Sequence, residues 1–277
     1  MLPTLPTLLA VLPGAATVPR IALRHAARHA TAPQMRILQK YVPDDFPSTW
    51  PYTSQDLQRL DESPDFNFYS TPRFVTHIDD GAIQAVTQYY RESLPEDADV
   101  LDICSSWVSH LPKDLRLGRV TGLGMNAREL EANPQLTEFV QRDLNVSPEL
   151  PFDDESFDAC LNVVSVDYLN RPREVFEEMH RVLRPGGQAI MSFSNRCFPT
   201  KAVAMWLDAG DEGRRKIVGS YFALSPQGGW TDIEALDITG YGSKSTEAGD
   251  NPLQKMALWL KASVGDPMFV VRATKRA

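Results

Sequence analysis

The side chains able to do chemistry in this 277-residue chain gather in six short clusters. The first holds Tyr69, Arg73, His77 and Asp79, where a phenolic hydroxyl and an arginine fork suit a carboxylate. The string LDICSSW over 101–107 sets Asp102 before Cys104, Ser105, Ser106 and Trp107. GMNARE over 124–129 offers Gly124, Met125, Asn126 and Glu129. Asp143 with Leu144 makes a fourth cluster, SVDY over 165–168 a fifth, and Asn195, Arg196 and Cys197 a sixth. Proton transfer would fall to His77, His110, Asp167 or Tyr168. Each group also has a plainer use. Asn126 with Glu129 three residues on reads as a capping box, Asp167 as a helix cap, Tyr168 and Trp107 as core rings, and Arg73 as half of a surface ion pair. Cys104, Cys160 and Cys197 are odd in number and widely spaced, which makes neither a disulfide framework nor a zinc pattern. Cys160 sits among apolar strand residues and reads as a core thiol, and Cys197 lacks the partner thiols of a soft-metalloid site.

Five of these clusters follow a run that reads as a strand: 99–106, 119–123, 137–142, 157–164 and 188–194. Between the last two, Val175, Phe176, Met179, Val182 and Leu183 mark one helical face. Pro172 suits the first turn of that helix, and the Gly186–Gly187 pair would end it through a left-handed C-cap. Strand, helix and strand make a βαβ unit, hence a parallel sheet with ligands at the strand carboxyl ends. Before the first strand, Asp80 would cap a helix whose Ile83, Val86, Tyr89 and Tyr90 face inward. A wrapping loop spans 41–65, with a short helix near 55–60. A helix over 127–132 follows the second strand. Two helices are expected from Pro199 and over 211–224, then a strand over 233–239, a Gly/Ser-rich loop over 240–251, a helix over 253–262 and a last strand over 268–274.

An acid followed by LPFDDESFD, a strand, a helix closing on RVLRPGG and another strand resemble, in this order and spacing, the later motifs of class I S-adenosylmethionine-dependent methyltransferases. The likeness extends over about residues 65–275. It implies a Rossmann-like, doubly wound α/β fold: a mostly parallel, seven-stranded sheet with an antiparallel last strand at its edge and helices on both faces. It also implies S-adenosyl-L-methionine as cofactor, a small-molecule methyl acceptor, and no metal. By that likeness Asp143 would accept the adenine amino hydrogen, the Leu144 amide would serve a ring nitrogen, and Tyr69 and Arg73 would cover the methionine end. Val164, Ser165, Asp167 and Tyr168 would floor the reaction pocket, with Asn195 and Arg196 toward the substrate. Two positions depart from the family. Cys104, Ser106 and Val108 stand where glycines follow Asp102, losing the freedom to take positive φ. Gly124 stands where an acid usually binds ribose, leaving Met125 to pack on adenine and Asn126 or Glu129 to reach the hydroxyls. A nicotinamide-dependent reductase would need a GxGxxG turn, and CSSWVS is not one. A non-catalytic methyltransferase-like binding protein is the alternative.

Residues 1–43 carry Arg20, Arg24, Arg28, Arg36 and Lys40 and no acid, with Ile21, Leu23, Ala26 and Ala27 giving amphipathic character. They read as an organelle transit peptide, plastid before mitochondrion, and the protein as cytoplasmic if they are not one. The domain would then span 44–277, with 44–80 covering the cofactor and 199–230 forming a helical lid. The whole chain has a formal charge of −8, but residues 44–277 hold 23 basic and 36 acidic side chains, or −13. An acidic body argues against a nucleic-acid partner. No apolar run is long enough to span a bilayer. Composition sets neither the acceptor nor the oligomeric state.

Overall fold

The computed structural model describes residues 34–242 and 265–277. Most of the expected transit peptide, nearly all of the 240–251 loop and the 253–262 helix lie outside them. In chain order the elements are β1 (Arg36–Lys40), α1 (Asp65–Tyr69), α2 (Asp80–Ser93), β2 (Val100–Ile103), β3 (Val120–Gly124), α3 (Ala127–Glu131), β4 (Glu138–Gln141), β5 (Phe157–Val163), α4 (Pro172–Val182), β6 (Leu183–Phe193), α5 (Ala204–Asp208), α6 (Asp211–Leu224), β7 (Trp230–Asp237) and β8 (Phe269–Lys275).

The strands form one sheet of eight in the order β1-β7-β8-β6-β5-β2-β3-β4. From β6 to β4 all neighbours run parallel, as the strand–helix–strand alternation requires. β8 is antiparallel to both β6 and β7, so the last strand lies inside the sheet rather than at its edge. The edge belongs to β1, antiparallel to β7, which raises the strand count from the expected seven to eight. This corrects the 1–43 boundary, because Arg36–Lys40 is sheet. All five β1 side chains are exposed, so no alternation betrays the strand. It is registered instead by backbone pairing and by Arg36–Asp237 and Lys40–Glu234 ion pairs of 2.5 and 2.7 Å.

Alternate strand residues feed two apolar layers. Leu101, Ile103 and Cys160 pack with Phe176 and Met179 of α4, Trp206 of α5 and Tyr221 and Phe222 of α6. Val100, Ala159, Leu161 and Ile190 pack on Val86, Tyr89 and Tyr90 of α2. Each large apolar side chain buried this way contributes about 1.5–3 kcal/mol. The expected helix faces are found on α2, α4 and α6, with Pro172 in the first turn of α4.

Four local expectations change. Asp79, not Asp80, caps α2, accepting the Ala82 amide at 2.8 Å. The α4 helix ends at Val182 and β6 starts at once, so Gly186 and Gly187 do not cap it. Gly186 has φ +82°, and a methyl on Gly187 would press on the Arg184 and Asp158 carbonyls; the pair shapes the entry of β6. Residues 54–57 form a turn and Arg59 a bridge to Val203 instead of a helix, because the Asp56 and Gln58 carbonyls accept the Met205 and Ala204 amides at 3.0 and 2.8 Å. Finally, α6 packs on α4, β7 and β8, so it is a layer helix rather than a lid.

Candidate active site

A cavity of about 580 Å³ opens at the carboxyl ends of β2, β3, β4, β5 and β6. Its floor begins after β2. Asp102 is buried and accepts the Ser105 hydroxyl at 2.6 Å, and burial pushes its carboxyl up to about 6. Cys104 takes φ +56°, so the turn adopts the left-handed geometry without the glycine expected to permit it. That conformation costs a non-glycine residue about 1–2 kcal/mol. The turn is held by the Ser105 amide, which donates to Leu123 O at 2.8 Å. The crossing brings the Ser105 carbonyl against Gly124, where any Cβ would collide with it. An acid at this position is therefore sterically excluded.

Asn126 caps α3, accepting the Arg128 and Glu129 amides at 3.0 and 3.2 Å. Its Nδ2 donates to Tyr69 O at 2.8 Å, tying the covering segment to the floor. Glu129 does not close the expected capping box; it accepts the Arg73 amide at 2.6 Å. Burial raises its carboxyl, with Arg73 acting the other way. After β4, Asp143 accepts the Asn145 amide at 2.9 Å, and burial raises its carboxyl too. Asp143, Leu144 and Met125 all face the cavity.

The β5 exit contributes Val163, Val164 and Ser165, with Val164 at φ +45° despite its branched side chain. Tyr168 lines the cavity, and its hydroxyl accepts the Phe198 amide at 2.9 Å. Asp167 does not line it. Asp167 is buried below, beside the 203–214 region, with one carboxylate oxygen unpartnered, and burial pushes its carboxyl up to about 8. Asn195 and Arg196 both reach the cavity, but the Arg196 Nε sits 2.5 Å from Asp266. Trp107 is likewise off the lining: its Nε1 donates to Val75 O at 3.0 Å and its ring meets Phe74 edge-on. Tyr69, Arg73, His77, Asp102, Cys104, Ser105, Ser106, Gly124 and Asn126 complete the expected residues that line it. His77 is exposed and edge-on to Phe198, its imidazole lowered by partial desolvation and by Arg73. His110 also lines the cavity, and burial pushes it down to about 4.

Asp65 was missed as a site residue. It is buried at the cavity wall and accepts Arg59 at 2.7 and 2.8 Å and Asn145 Nδ2 at 2.8 Å, with Lys201 Nζ at 3.1 Å. Burial alone would raise its carboxyl, but Asn145, Arg59 and Lys201 hold it below its usual range. Lys201 is itself fully buried and donates to Ser63 O at 2.9 Å. The only sequence signal was a lysine in an otherwise apolar stretch.

Residues 102–191 match the family described as methyltransferase domain, and the fold is Rossmann-like. The chain is similar to the biotin biosynthesis bifunctional protein BioHC of Teredinibacter turnerae, 46% identical over 43 residues, which are 16% of this chain and 8% of that protein. It is similar to the demethylmenaquinone methyltransferase of Staphylococcus epidermidis, 34% identical over 111 residues, covering 35% of this chain and 44% of that one. The matches thus span less than half the length of these curated relatives. Among solved structures, a chain of the complex between the Haloferax volcanii Trm112 methyltransferase activator and a methyltransferase superposes with a TM-score of 0.50 at 16% identity, covering 72% of this chain and 92% of that chain. That likeness speaks to the fold.

Proposed function

We propose that this protein transfers a methyl group from S-adenosyl-L-methionine to a small-molecule acceptor. The observation that carries the reading is the cavity at the parallel-strand carboxyl ends, lined by the β2, β3, β4, β5 and β6 exits together. Its residues fit the cofactor. Gly124, Met125 and Asn126 at the β3 exit and the Asp143 carboxylate at the β4 exit face the cavity. Asp143 and the Leu144 amide would hold the adenine, and Asn126 or Glu129 the ribose. The 102–106 turn would receive the methionine end. When bound, the sulfonium supplies an activated methyl: the acceptor's lone pair takes the methyl carbon, and the bond pair stays on sulfur as a neutral thioether.

Everything else asked of the chain is positioning and exclusion of water. The covering segment, tied down through Asn126, Glu129 and Asn145, closes the cavity from above. His77, lowered by partial desolvation, is neutral at neutral pH and able to accept an acceptor proton. Tyr168 walls the acceptor side. Asp167, off the lining, supports Tyr168 from below and touches no substrate in this reading.

The test is calorimetric titration of the full chain with S-adenosylmethionine and S-adenosylhomocysteine, beside Asp143→Ala. Micromolar binding that the substitution weakens by at least about tenfold supports the enzyme. No heat from folded protein favours the second reading, a non-catalytic binding protein, for which the strained Cys104 turn is the motivating observation.

A further inference from the structure

Resting on the methyl-transfer reading, we propose that Arg73, Phe68, His77, Tyr168 and Phe198 form the acceptor subsite, and that the acceptor is an aromatic acid whose carboxylate is held by Arg73. The Arg73 guanidinium lies 4.3 Å above the Phe68 ring and 5.7 Å from the Phe198 ring. Phe198 is the centre of the group. Its ring is 5.3 Å from Phe68, 5.4 Å from His77 and 6.1 Å from Tyr168, the first two edge-on. Arg73, His77, Tyr168 and Phe198 all line the cavity.

Charge accounting singles out Arg73. Of the cations at this end, Arg196 is paired with Asp266, Arg59 and Lys201 are both spent on Asp65, and Arg142 gives its guanidinium to the Glu149 carbonyl. Among the described residues, no carboxylate forms an ion pair with the Arg73 guanidinium; Glu129 takes its backbone amide instead. A guanidinium fixed on aromatic faces inside a cavity, with its fork unused, is a seat for a planar anion. The surrounding rings offer edges and faces to a flat apolar body. The ring contacts of Arg73 are to Phe68 and Phe198, the latter just past the β6 exit. Phe198 follows Asn195 and Arg196, the residues expected toward the substrate, and lines the cavity with them. Its fork therefore serves the acceptor, in place of the cofactor carboxylate expected for it from the sequence.

The test uses the full chain saturated with S-adenosylhomocysteine and two probes of one shape, 4-hydroxybenzoate and 4-hydroxybenzamide. The carboxylate is expected to bind at least about tenfold tighter than the amide. Arg73→Met should erase that difference while S-adenosylhomocysteine affinity stays within about twofold, and Arg73→Lys should restore part of it. Equal binding of both probes, or binding of neither at millimolar concentration, overturns the proposal. So does an Arg73→Met variant that loses affinity for S-adenosylhomocysteine but keeps it for 5′-methylthioadenosine, which lacks the amino-acid tail. Failure of the wild-type protein to bind S-adenosylhomocysteine would instead sink the underlying methyl-transfer reading.

Discussion

On the strand side of the cavity, polar groups are held by near neighbours. Asp102 meets Ser105 three residues on, Asp143 the Asn145 amide two residues on, and Asn126 caps amides two and three residues away. On the covering side the partners are far apart in sequence. Glu129 reaches Arg73 across 56 residues, Asn145 reaches Asp65 across 80, and Lys201 reaches the carbonyl of Asp61 across 140. The strand side is thus shaped by local turn chemistry on a rigid sheet, and the cover by a few long-range polar ties, one of them a buried charge cluster. Damage to the first should read out in ligand affinity, and damage to the second in stability.

The largest effect should come from the cover. Asp65→Ala leaves Arg59 and Lys201 buried without their shared counter-charge and should cost about 3–5 kcal/mol in urea unfolding. A loss under about 1 kcal/mol would dissolve the contrast between the two walls. On the strand side, Asp143→Ala should leave the unfolding midpoint nearly unchanged yet weaken S-adenosylhomocysteine binding by about 1.5–3 kcal/mol, as loss of a hydrogen bond to a charged group does. Unfolding together with loss of binding would mean Asp143 is structural.

Beneath the floor, Asp167 gives a pH-dependent test. Burial raises its carboxyl from an ordinary 3.8 to about 8, so the folded chain holds this proton more tightly than the unfolded chain. The resulting stability is full below the ordinary value and lost as pH rises through 8. Between pH 6.5 and 8, above the ordinary value of His110, unfolding free energy should fall by up to about 1.4 kcal/mol per pH unit. Asp167→Asn should flatten that slope; an unaltered slope would place the proton elsewhere. The smallest effect belongs to the strained turn. Cys104→Gly should relieve the positive φ and add about 0.5–1 kcal/mol of stability, with cofactor affinity kept or improved. Destabilisation would show that the thiol's packing outweighs the backbone strain.

The same contrast explains what was legible beforehand. The parallel core, the α2, α4 and α6 faces and the order of cavity-lining turns are written in apolar periodicity and turn residues, and they were readable. The capping role of Asn126 was too, since its partners are adjacent. The destination of Glu129 was not, because a capping box and a reach to Arg73 look alike until the covering segment is in place. Asp65 and Lys201 carry meaning only as a pair. Gly124 looked like a missing acid and is a steric requirement of the Ser105 carbonyl. Trp107 and Asp167 sat beside the right positions but point away, as residues next to a turn often do.

The pairing of β1 with β7 bears on where this chain can be cut. β7 buries Trp230 and the Ile233–Leu236 core positions, and among the described residues one of its two backbone edges is covered by Arg36–Lys40 and the Tyr41 amide. Trimming before Arg36 leaves that cover in place. Trimming after Lys40, as a leader ending at residue 43 would require, bares a long apolar-backed strand edge, which invites pairing with a second molecule. The charged five-residue strip is therefore a guard against self-association, and a processing site or an expression boundary placed a few residues too late should yield a protein that folds but clumps.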